Sequence, residues 1–258
     1  YTDRISFWSD NNPRYPMERI HGYTYRAIIP GEVVTQGKFR YTIIVSRDGN
    51  PTTFPAGISG TPLDWDYASP MYWETRVVNE TSAISLYSAT RENSRIETYT
   101  MPEWSRVHRE LIDTCPETRP VQRFICESDD ENPRFFLRSY VKEEIALRTK
   151  RLGKSNTLCV SLQNAPDSLN IGFVTNTGYT YAAKIAVNEK SVYRIPLSEL
   201  QQTATALLPH PYPVFLKKYF DPVVPIPFRP EDIELLEISF DGRKNEKAII
   251  EIGDVWLE

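Results

Sequence analysis

Alternation of apolar and polar residues dominates the chain. Near its end Ile249, Glu251, Gly253 and Val255 interleave with Ile250, Ile252, Asp254 and Trp256, the two-residue period of a strand with one dry and one wetter face. Runs rich in β-branched and aromatic residues predict further strands over 23–29, 39–45, 73–78, 83–87, 123–126, 135–141, 157–163, 169–175, 179–187, 191–195 and 233–240. Pro30-Gly31, Gln36-Gly37 and Asp48-Gly49 punctuate the first of these with proline's fixed φ and glycine's freedom. Helical spacing is rare. Trp104, Val107 and Leu111 predict a three-turn amphipathic helix over 103–114. Residues 142–152 predict a second, and Ser198 as N-cap predicts a turn or two over 198–208.

Composition turns this pattern into an all-β fold. The 258 residues carry 20 Pro against 11 Gly and 12% aromatics, a profile of short strands joined by proline-stiffened loops. Asn79-Glu80-Thr81-Ser82 separates two groups of strands and predicts two β-sandwich modules, over 1–81 and 82–258. The net charge of −4 gives no basis for a nucleic-acid partner. No apolar run approaches the roughly 18–20 residues that span a bilayer. The chain opens at Tyr1 without a methionine and reads as a processed or excised piece of a longer polypeptide. Cys115, Cys126 and Cys159 lack the CxxC spacing of a zinc site and read as buried thiols, with a Cys115–Cys126 bridge as the alternative.

Two stretches resemble known modules. Tyr25-Arg26-Ala27-Ile28-Ile29-Pro30, Gly37-Lys38-Phe39-Arg40-Tyr41-Thr42-Ile43, Asp48-Gly49 and Phe54-Pro55 resemble fibronectin- or immunoglobulin-like modules appended to secreted enzymes. Residues 156–163, 169–175 and 178–187, Tyr193-Arg194-Ile195-Pro196-Leu197-Ser198-Glu199-Leu200, and 233–257 resemble the galactose-binding-like jelly rolls of carbohydrate-binding modules. Residues 207–216, with Thr61-Pro62-Leu63-Asp64-Trp65-Asp66-Tyr67, resemble the C-terminal region of large secreted bacterial glycoside hydrolases. The resemblance implies a non-catalytic carbohydrate-binding or scaffolding part of a polysaccharide-degrading enzyme, secreted, periplasmic or at the cell surface. Its partners are then a polysaccharide or oligosaccharide and the catalytic domain of the same parent chain. No cofactor is expected beyond a structural calcium, which such jelly rolls hold near their first and last strands. Here Ser88 stands where an acidic ligand is expected, Asp254 lies on the last strand, and no loop is dense in the six to eight oxygens calcium takes.

The candidate chemistry is aromatic. Sugar rings present apolar C–H faces that stack on exposed Trp and Tyr, while polar neighbours bind the hydroxyls. Trp65, Tyr67, Tyr72 and Trp73 occupy one Pro-bounded segment, and Trp65 and Tyr67 share a face if that segment is extended. Packing between the two modules is the competing reading of these rings. Arg138, Tyr140 and Lys142 share a face of their strand, and Gln163, Tyr179, Tyr181 and Lys184 are candidates to join them; a solvated sheet face has the same composition. The carbohydrate-binding set is therefore Trp65, Tyr67, Trp73, Arg138, Tyr140, Gln163 and Tyr181. Asp64 and Asp66 also suit the two carboxylates of a glycosidase, although acids two apart in such a loop more often cap backbone N–H groups. No HExxH, GxSxG or phosphate-binding loop is present, and no catalytic residue is assigned. A β-sandwich hydrolase or lyase, and a structural or protein-interaction module, stand as the alternatives.

Overall fold

The computed structural model describes residues 14–90, 95–102, 105–113, 119–188, 191–210 and 216–258, and the backbone alone of 4–9. The chain divides into two compact units, Tyr1–Ser82 and Ala83–Glu258. Every strand pairing in both is antiparallel.

The smaller unit is built on one sheet, ordered β2 (Arg14–Pro16), β1 (Arg4–Ser9), β5 (Gly37–Arg47), β6 (Asn50–Phe54) and β7 (Ile58–Ser59). A sixth strand, β8 (Trp73–Val77), pairs with the first half of β5, and β3 (Glu18–His21) and β4 (Thr24–Arg26) form a separate hairpin. Ile44 is the one fully buried large apolar side chain among this unit's described residues. Burial at about 25 cal/mol per Å² therefore contributes little here, and turn and ladder hydrogen bonds carry the local order.

The larger unit is a β-sandwich. Its front sheet runs β10 (Glu97–Met101), β13 (Arg134–Tyr140), β21 (Ile233–Asp241), β15 (Ser168–Thr175), β16 (Thr180–Ala186) and β18 (Gln201–Thr203). The back sheet runs β11 (Arg106–Ile112), β12 (Val121–Glu127), β22 (Ala248–Leu257), β14 (Thr157–Asn164) and β17 (Val192–Pro196), with β9 (Ile84–Tyr87) also on β22. Phe135, Leu137, Phe173 and Phe240 from the front meet Phe124, Val160, Ile250 and Ile252 from the back in one core. Each such side chain contributes roughly 1.5–3 kcal/mol on burial. The alternation along β22 holds as far as Ile252 and then changes phase: Ile250 and Ile252 lie in the core, but past the register shift Val255 and Leu257 take that face in place of Asp254 and Trp256. At Gly253 the facing strand shifts register, and a Cβ there would stand 3.1 Å from Ser161 Oγ, a tight contact with the neighbouring strand.

Three helical expectations are corrected or cut short. Residues Arg106–Ile112 form β11, paired residue for residue with β12; 103, 104 and 114 lie outside the described residues. Val107 packs against the core from this strand, so cross-strand pairing overrides the 3–4 spacing. The stretch 142–152 forms two short helices, α1 (Lys142–Ala146) and α2 (Thr149–Leu152), anchored by buried Ile145 and Leu152. After Pro196 there is a single 3-10 turn, Leu197–Glu199, without a side-chain cap, before the chain returns to strand at β18 and β19 (Thr205–Ala206). Cys126 is a free buried thiol, and Cys115, its partner in the alternative bridge, lies outside the described residues. Burial pushes the Cys126 thiol up to about 12.

Candidate functional site

The aromatic loop of the smaller unit is a pair of consecutive turns. Asp64 N–H donates to the Thr61 carbonyl at 2.9 Å and Tyr67 N–H to the Asp64 carbonyl at 3.0 Å. The Asp64 carboxylate accepts the Thr61 N–H at 2.6 Å, so this residue caps its turn, the role acids in such a loop more often take. Gly60 enters the turn at φ +103°, where a Cβ would lie 2.9 Å from Asp64 Oδ2. Thr53 Oγ1 donates to the Gly60 carbonyl at 2.8 Å, and Arg14 Nη2 donates to Thr61 Oγ1 at 3.3 Å. On this fixed base the Trp65 side chain is 96% exposed.

Because the segment is turned and not extended, Trp65 and Tyr67 do not share a face. The Tyr67 hydroxyl is buried, with no partner among the described residues. Trp73 begins β8 opposite Tyr41, with ring centroids 5.7 Å apart, and Phe39 continues the aromatic row at 6.3 Å from Tyr41. Arg40 and Glu74 occupy the other face of this strand pair, where the Arg40 guanidinium lies 4.4 Å over the Tyr72 ring. Lys38 and then Arg40 hold the Glu74 carboxyl below the usual carboxylate range. Trp73 thus belongs to a stacked sheet surface, whereas Trp65 stands apart from it with no ring contact among the described residues.

The set expected on the front sheet does not assemble. Phe135 and Leu137 enter the core, which turns Phe136, Arg138 and Tyr140 outward as expected. Arg138 is nevertheless 8% exposed: its Nε donates to Glu237 Oε2 at 2.6 Å and its Nη2 to the Ala206 carbonyl at 2.9 Å. The hairpin of β19 and β20 (Tyr219–Phe220) supplies Ala206 and Tyr219 to a small second cluster with Met101 and Phe136 on this face. Arg138 therefore braces this hairpin and is closed to ligand in this arrangement. Tyr140 stays 51% exposed. Tyr181 lies opposite Phe173 and enters the core, with its hydroxyl donating to the Ile226 carbonyl at 2.9 Å. Lys184, three residues on, takes the other face, so the two never share a surface. Gln163 lies on β14 of the back sheet, where its Nε2 donates to the Arg119 carbonyl.

Sequence reading misses β10, although Glu97-Thr98-Tyr99-Thr100 alternates as a strand should. This edge strand brings Tyr99 beside Leu208 and His210 at a cleft of about 360 Å³. The Tyr99 hydroxyl donates to Glu97 Oε2 at 2.5 Å, and that bond raises its pKa. The Asp254 carboxylate faces Arg119 Nη1 at 3.6 Å, and Ser88 Oγ lies 3.4 Å from Thr90 Oγ1. Among the described residues no group of three acidic, His or Cys side chains is placed to hold a metal.

No protein-family model matches the chain, and no curated protein matches it. Solved structures similar to it include carbohydrate-binding modules. One is the family 11 module of Clostridium thermocellum in complex with a β-1,3-1,4-mixed-linked tetrasaccharide, at 9% identity and a TM-score of 0.43, covering 68% of this chain and 94% of that one. Another is the family 11 module of the cellulosomal cellulase Lic26A-Cel5E of Clostridium thermocellum, at 10% identity and a TM-score of 0.45, covering 69% and 94%. A third is the low-affinity xylan-binding module CBM86 of Roseburia intestinalis, at 10% identity and a TM-score of 0.30, covering 64% and 95%. At such identity and superposition none of them transfers a ligand or a site to this chain.

Proposed function

We propose that the chain is a non-catalytic glycan-binding or scaffolding part of a secreted polysaccharide-degrading enzyme, and that it meets sugar by stacking on Trp65. The observation that carries this reading is the 96% exposure of that indole on a turn fixed by the Asp64 carboxylate. A tryptophan so exposed gains almost nothing from burial, so the fold itself gives no reason for its size. A rigid aromatic face held in water instead offers the C–H face of a pyranose a pre-organised surface at little conformational cost. One such contact binds weakly, and attachment to a catalytic domain raises the effective substrate concentration. The engagement of Asp64 in its turn supports the non-catalytic reading over the hydrolase alternative.

Affinity electrophoresis in gels containing plant and microbial polysaccharides tests the reading. Retardation in at least one gel, largely lost in Trp65→Ala at unchanged melting temperature, is the expected result. Migration unaffected by every polysaccharide sinks it.

A further inference from the structure

We infer that the cleft between β10 and the Leu208–His210 segment is a second saccharide site, one that takes a short piece or an end of a neutral glycan. This rests on the glycan-binding reading above but on different residues. At about 360 Å³ the cleft is at the small end of the roughly 300–1,000 Å³ typical of small-molecule sites. Among the described residues its lining mixes hydroxyls (Thr98, Thr100, Ser105), the phenol ring of Tyr99 and the apolar Leu208, with no Asp, Glu, Lys or Arg.

Hydrogen-bonding capacity in that lining is left unmet by the fold. Thr98 is exposed, so its hydroxyl is open to solvent and to a ligand. Among the described residues the His210 ring nitrogen Nε2 is buried without a partner. Buried polar groups are nearly always paired, so an unmet one points to a missing partner. β10 also ends the front sheet, which leaves alternate backbone N–H and C=O groups along it without a partner strand. Sugar hydroxyls act as donor and acceptor at once and suit such a wall. Tyr99 gives its proton to Glu97 and keeps its oxygen as an acceptor. An anionic sugar finds no Lys or Arg among the described lining residues to offset the desolvation of its carboxylate.

Amide and indole NMR spectra of the full chain, titrated with D-glucose, D-galactose, D-mannose, D-xylose, L-arabinose, cellotetraose and D-galacturonic acid, test the site. At least one neutral sugar is expected to shift the Thr98, Thr100 and Ser105 amides, with galacturonic acid about tenfold or more weaker. Thr98→Val and His210→Gln should each weaken that response, and Trp65→Ala should leave it unchanged. Movement of the Trp65 indole alone overturns the cleft and leaves the stacking proposal standing. Movement of the cleft amides alone upholds the cleft and counts against Trp65. Still spectra throughout, or cleft shifts indifferent to both cleft variants, overturn the cleft.

Discussion

Arg138 and Glu237 pair at 2.6 Å with 8% and 7% exposure, and the guanidinium also donates to the Ala206 carbonyl, so one residue ties sheet to hairpin. Removing either charge leaves the other buried and unpaired. Arg138→Ala should therefore cost about 3–5 kcal/mol in urea unfolding, whereas Arg138→Met with Glu237→Leu should recover much of that. Two further residues make the burial of the core measurable. Cys126 is held near 12, so at pH 8.5 it stays protonated; peptide mapping after alkylation should find it unmodified in native protein and labelled in denaturant. Burial likewise pushes the Tyr87 hydroxyl up to about 12 from its ordinary 10. Since the folded value is the higher one, this contribution to stability is complete below pH 10 and is lost as the pH rises towards 12. Tyr87→Phe should flatten the alkaline limb of the stability curve, and an unchanged limb would show that another group controls it.

At the scale of the element, strands were legible wherever one face is dry and the other wet. The period of two that marks Ile250 and Ile252 in sequence is the period that puts them in the core. The same rule placed Arg138 outward yet was silent on what covers it, because the hairpin carrying Ala206 comes from distant sequence. The helix expected over 103–114 failed because Val107 and Leu111 satisfy a helical spacing while β12 offers Arg106–Ile112 a full ladder. Tyr67 was misplaced for a local reason: the shared face assumed extended backbone, and the Asp64 carboxylate makes turns instead. That turn is itself open to test. Gly60→Ala forces a side chain into φ +103° and against Asp64 Oδ2, so it should destabilise the smaller unit by about 1–3 kcal/mol and reduce polysaccharide retention. Retention at the wild-type level would show that the presentation of Trp65 does not depend on this turn.

Across the whole molecule the two units differ in what stabilises them. The large core cluster lies entirely within Ala83–Glu258, while Ile44 is the one fully buried large apolar side chain described in Tyr1–Ser82. Amides of β5 should accordingly exchange with deuterium well before those of β12 and β22. Equal protection would contradict that ranking. The division also sets the proposed sites apart: Trp65 belongs to the thinly packed unit and the Tyr99 cleft to the well-packed one. The decisive measurement is calorimetric titration of the wild-type chain and Trp65→Ala with a polysaccharide that retards the wild type, both proteins having the same melting temperature. Binding heat that falls by most of its amplitude in Trp65→Ala is the predicted result, and equal heats in the two proteins contradict stacking on the exposed indole.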